Sequence, residues 1–115
     1  MAILKEKSRQ NKYDAACASD CPVRRSLEIL DGKWTMLVLR DLMGGPKRFG
    51  VLRRSLNHIN PKTLTDRLRH LEKHKIVSKK IFPEIPPRVE YKLTEKGMHL
   101  KQVIVALKKW GMEHL

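Results

Sequence analysis

Apolar positions recur at helical spacing through most of this chain, give way to strict alternation near residue 76, and then return to helical spacing. Pro22–Leu30 carries Val23, Leu27 and Leu30 at i, i+4 and i+7, with proline in the first turn and Asp31-Gly32 as a stop. A second helix over Lys33–Met43 has Trp34, Leu37, Val38 and Leu42 as a broad apolar face, and Gly44-Gly45-Pro46 ends it. A short third helix, Arg48–Leu56, points Phe49, Leu52 and Leu56 inward and Arg53 and Arg54 outward. Asn60 is suited to cap a fourth helix, Pro61–His74, built on Leu64, Leu68 and Leu71. Ile76-Val77 and Ile81-Phe82 suggest a strand, Pro83–Pro87 a rigid connection, and Arg88–Leu93 a second strand with Val89, Tyr91 and Leu93 on one side. Thr94 caps a last helix running to about Trp110 or beyond. The fold class is therefore mainly α with a small β-hairpin. Two helices, a short turn and a two-stranded ribbon make a winged helix-turn-helix.

Residues 1–19 lack sustained periodicity and read as a flexible N-terminal extension, leaving residues 20–115 as one domain. No run of the chain approaches the ~18 apolar residues of a membrane span, and no secretory h-region follows Met1. The expected location is the cytoplasm, where Cys17 and Cys21 would stay as thiols.

Charge narrows the function. The net charge is +13, and residues 46–80 hold eleven bases against two acids, which is +9 of that excess. Such a stretch attracts polyanions, with a membrane surface or ribosomal RNA as alternatives on charge alone. Placing Leu64 at zero on a helical wheel sets Lys62, Asp66, Arg69, His70 and Lys73 about 140–240° away, opposite the leucines, with Thr63 and Thr65 flanking them. Long cations reach phosphates or guanine edges, threonine meets bases or thymine methyls, and Asp66 can accept from cytosine N4. Lys47 and Arg48, at the start of the third helix, and Arg88, near the wing tip, are candidates for phosphate contact. Taken singly, Asp66, His70 and Lys73 read as solvated surface groups.

The last helix is apolar on two sides. Leu100, Val103, Ile104 and Leu107 form one stripe, while Met98, Val105 and Met112 repeat every seven residues on another. The second stripe suits a symmetry mate, and the alternative is a core contact with the N-terminal extension. There is no phosphate-binding glycine loop, no zinc-ligand spacing among the scattered histidines, and no argument for a catalytic set. Neither an enzyme nor a cofactor nor a metal is expected.

The chain resembles the HxlR family of bacterial winged-helix regulators over about residues 20–115. The likeness runs through Cys21-Pro22-Val23, Gly32-Lys33-Trp34-Thr35, Leu39-Arg40-Asp41-Leu42 and Gly45-Pro46-Lys47-Arg48-Phe49-Gly50. It continues in Pro61-Lys62-Thr63-Leu64-Thr65, Arg67-Leu68, Leu71-Glu72, Pro86-Pro87-Arg88-Val89-Glu90-Tyr91, Leu93-Thr94 and Gly97. Asn60 and Asp66 depart from the pattern, the second with consequences for base preference. The resemblance implies a homodimer joined through its N- and C-terminal helices, binding double-stranded DNA at a two-fold operator as a repressor or activator of a nearby gene. It also implies a response to an electrophile or oxidant through Cys21. At the head of the Pro22 helix Cys21 would be favoured as a thiolate, with Arg24 and Arg25 adding positive charge and Asp20 opposing them. A nonspecific nucleic-acid-binding or nucleoid-type protein without a sensor role is the alternative.

Overall fold

The computed structural model describes residues 21–115. The chain divides into two compact units, Met1–Asp31 and Gly32–Leu115. The residues read as an N-terminal extension lie outside the described part. Of the first unit the structure describes Cys21 and one helix, α1 (Pro22–Leu30), whose apolar Val23 and Leu27 are both exposed. Cys21 occupies the position before its first turn, with Pro22 at the first helical position.

The second unit runs α2 (Lys33–Leu42), β1 (Lys47–Arg48), α3 (Phe49–Ser55), α4 (Pro61–Lys73), β2 (Val77–Phe82), β3 (Arg88–Leu93), α5 (Glu95–Met98) and α6 (Lys101–His114). Its core is aliphatic. Val38, Leu39 and Leu42 of α2, Leu52 of α3, Leu64, Leu68 and Leu71 of α4, and Ile76, Val77 and Leu93 are all buried, as are Leu56 and Ile59 in the α3–α4 turn. Gly32 opens α2 at φ +87°, a backbone conformation that side chains with a Cβ resist.

Three local readings are corrected. Lys47 and Arg48 do not begin the third helix. They form a short strand antiparallel to β3, opposite Tyr91 and Glu90, so the sheet has three strands in the order β1-β3-β2. Arg53 does not point away: its Nε donates to the Ile59 carbonyl at 3.0 Å and ties α3 to the turn before α4.

The last helix is broken in two, with i→i+3 bonds from Leu100 N–H to the Gly97 carbonyl and from Val103 N–H to the Leu100 carbonyl. The break follows the place where Gly97 is pressed against the Ile76 backbone: a methyl group there would run into the Ile76 carbonyl oxygen. Thr94 fixes the same corner. Its hydroxyl donates to the Lys75 carbonyl at 2.6 Å and accepts from Gly97 N–H at 3.1 Å.

Candidate nucleic-acid interface

The α3–α4 pair is joined by a turn whose backbone is held in three ways. Asn57 and His58 adopt φ of +55° and +56°, reversing the chain within two residues. Arg53 holds the next carbonyl, and Ile59 plugs the turn into the core. Asn60 then accepts from Lys62 N–H at 2.8 Å and Thr63 N–H at 3.4 Å, satisfying two of the donors that a helix leaves open at its start. The N-terminal turn of α4 is thus rigid from both sides.

The three buried leucines of α4 fix its rotation. Lys62, Asp66, Arg69 and Lys73 are exposed as a result, and Thr63, Thr65 and His70 are half-buried beside them. This matches the wheel: α4 presents cations, two threonines and one carboxylate away from the core. Near its C-terminal end, His70 and His74 meet edge to face with centroids 4.7 Å apart. Among the described residues no group of three or more His, Cys, Asp or Glu side chains could hold a metal.

The sheet brings further cations beside α4. In the β2–β3 register Lys79 faces Tyr91, and Lys47 faces Tyr91 from the other side, so the three form one row across the strands. Tyr91 connects that row to α4. Burial, then the Glu72 carboxylate, raises its hydroxyl pKa above the usual phenol value, while the Arg69 guanidinium pulls it down. Lys79 and Lys80 are exposed on β2 and did not stand out in the sequence, where the strand was marked only by its apolar ends.

Arg88 is placed differently from the other candidate cations. Its guanidinium carbon lies 3.9 Å from the centroid of the Phe82 ring, directly across the ladder. Its Nη2 is 3.5 Å from a Glu84 oxygen and its Nε 3.5 Å from a Glu90 oxygen. Two carboxylates offset its charge, and the stack with Phe82 fixes its plane.

Cys21 is buried, 0% exposed, and disulfide-bonded. The one other cysteine of the sequence, Cys17, lies outside the described residues. The expectation that Cys21 stays as a thiol is corrected.

A capped helix with a polar outer face, joined by a tight turn to a short helix and followed by a β-ribbon, defines a winged helix-turn-helix DNA-binding protein. The HxlR-like helix-turn-helix family model matches residues 29–115, and the chain belongs to that family. An HTH-type transcriptional regulator of Synechocystis sp., sll1512, itself uncharacterised, is 46% identical over 95 residues, covering 83% of this chain and 70% of its own length. A solved structure from Porphyromonas gingivalis W83, described as a transcriptional regulator of the MarR family, superposes with a TM-score of 0.80 at 41% identity, covering 84% of this chain and 95% of that one. The redox regulator HypR in its oxidised form superposes with a TM-score of 0.78 at 37% identity, covering 83% and 98%. The protein is a DNA-binding transcriptional regulator.

Proposed function

We propose that the chain binds a two-fold operator in double-stranded DNA as a homodimer, with α4 in the major groove and a redox-responsive cysteine at the head of α1. The observation that carries the DNA reading is the outer face of α4, aimed by three buried leucines and a side-chain cap. Lys62, Thr63, Thr65, Asp66 and Arg69 are assigned to the groove, with Lys47 and Arg48 on the flanking phosphates. Dimerisation is supported by α6, a fourteen-residue helix with no buried residue, on which Val105 and Met112 are exposed, and by the exposed Met98 that ends α5 before it. Two recognition helices on one DNA face require half-site centres ~10–10.5 bp apart, or a multiple. Among the described residues no helix is long and apolar enough to cross a membrane. A cytoplasmic location fits a protein that must reach DNA, and no enzymatic activity is assigned.

The decisive measurement is binding to operator and random duplexes at one fixed salt concentration. A regulator prefers its operator ~10³–10⁷-fold, whereas a nucleoid-type protein shows no such preference. Thr63→Ala and Arg69→Ala should each cost ~1–3 kcal/mol on the operator and relax base preference. Lys47→Ala and Arg48→Ala should weaken both duplexes and make the salt dependence shallower. Equal losses on both duplexes for Arg69→Ala would move that residue to the phosphates.

For the cysteine, support comes from its burial, its disulfide and the 37% identity to a regulator solved in an oxidised form. Operator affinity should differ between protein treated with a dithiol reductant and protein treated with a mild oxidant or quinone, and Cys21→Ser should abolish the difference. Identical affinities in both states would leave Cys21 a structural residue.

A further inference from the structure

On the wing, cations and reach separate. Lys79 and Lys80 are exposed on β2, but residues 81–87 beyond them contain no base. Their one charge, Glu84, is paired with Arg88 at 3.5 Å. At the end of the hairpin Ile85 is fully exposed, at 102%, and Ile81 is exposed at 60%. Pro83, Pro86 and Pro87 surround Ile85, and each fixes its own φ, so the tip is stiff. Below it Arg88 clamps both strands, stacked on Phe82 and paired with Glu84 and Glu90. The result is an apolar prong, braced at its base, on a domain whose neighbouring surface is cationic.

We propose that the wing contacts DNA through Ile85, entering the minor groove beside the segment read by α4, and that it does so by apolar contact. Lys79 and Lys80 hold the phosphates on either side, and Arg88 is a positioning residue that keeps the prong erect. The occupant fits the prong's chemistry. The minor groove is ~6 Å wide, its walls are deoxyribose faces, and apolar side chains are known to wedge there between base steps. A contact of this kind reports groove width and deformability at positions that no polar group touches. The inference rests on the reading of α4 in the major groove.

The test uses the full chain with an operator duplex, in fluorescence anisotropy over a salt series and in hydroxyl-radical footprinting. Ile85→Ala removes only solvent-exposed atoms, so the fold survives. It should weaken binding roughly 5- to 30-fold with the salt slope unchanged, because an apolar contact releases no counterions. The minor-groove protection flanking each half-site should fade, while guanine N7 protection beneath α4 persists. Lys80→Ala should instead make the slope shallower. Arg88→Ala should weaken binding as Ile85→Ala does, again without changing the slope. Ile85→Ala binding within twofold of the wild type, with its flanking protection intact, overturns the proposal and leaves the α4 reading standing. A shallower slope for Arg88→Ala also overturns it, by making Arg88 a phosphate contact. Wild-type protein that protects no major-groove guanine overturns the α4 reading itself.

Discussion

Helices α4 and α6 are nearly equal in length and both carry apolar stripes, yet the chain uses them in opposite ways. In α4 the stripe is consumed internally: Leu64, Leu68 and Leu71 are buried, and everything polar is left outside. In α6 nothing is buried. Leu107 is exposed beside a cavity of ≈ 450 Å³ that it lines with Met36, Leu37, Arg40, Ile104 and Lys108, and Val103 is exposed as well. Met112 on the far side is 75% exposed. The stripe expected to pack the last helix on its own domain is therefore only loosely satisfied. A helix whose apolar faces remain in water is what the proposed dimer would cover. One helix has its geometry set by the fold, and the other is the surface on which the proposed assembly rests.

Substitutions can break this contrast. Leu68→Ala, at the centre of the buried stripe, should cost ~2–5 kcal/mol of stability, read as a large fall in the denaturant midpoint. Val105→Glu, on the exposed stripe, should leave the unfolding of the isolated chain within ~0.5 kcal/mol of wild type. In sedimentation it should reduce the mass from twice the chain's 13.4 kDa to 13.4 kDa. Wild type sedimenting at 13.4 kDa would sink the assembly half of the comparison. Asn60→Ala should lose ~0.5–2 kcal/mol, and protection of the Lys62 and Thr63 amides in hydrogen exchange should drop with it. His58→Gly should have the smallest effect. It relieves a left-handed non-glycine residue, worth ~1–2 kcal/mol, and returns ~0.5–1 kcal/mol in backbone entropy. The net is a melting temperature equal to or slightly above wild type.

Much of the fold was legible because it obeys local rules. Asn60-Pro61 with Leu64, Leu68 and Leu71 sufficed to place α4, and the alternation of Val89, Tyr91 and Leu93 sufficed to place β3. What escaped notice depends on residues distant in sequence. A strand of two residues, Lys47–Arg48, has no period to detect and exists only because β3 lies beside it. Gly97 fits a helical pattern as well as any glycine, and its constraint is a carbonyl twenty-one residues earlier. The same holds for the candidate site. The face of α4 followed from its wheel, whereas Arg88 stood out as a cation and its partners came from register. That register places Phe82 opposite Arg88 and Lys79 opposite Tyr91. Arg53, which steadies the turn, looked like one more surface base.

The corner at Thr94 and Gly97 also has a mechanical side. Thr94 Oγ1 bonded to the Lys75 carbonyl, Thr94 N–H to the Ile76 carbonyl, and Lys96 Nζ to the His74 carbonyl together join the trailing end of α4 to the foot of the C-terminal helices. The thirteen residues of α4 make a rod about 20 Å long that ends at that joint, with Lys62 and Thr63 at its opposite, capped end. Because the rod is held rigidly, a tilt of the whole domain by about 5° about that joint would carry the capped end about 2 Å, more than a hydrogen bond formed at ~2.7–3.2 Å tolerates. In the proposed dimer on its operator, the joint is where a rocking of one subunit against the other would be handed on to α4.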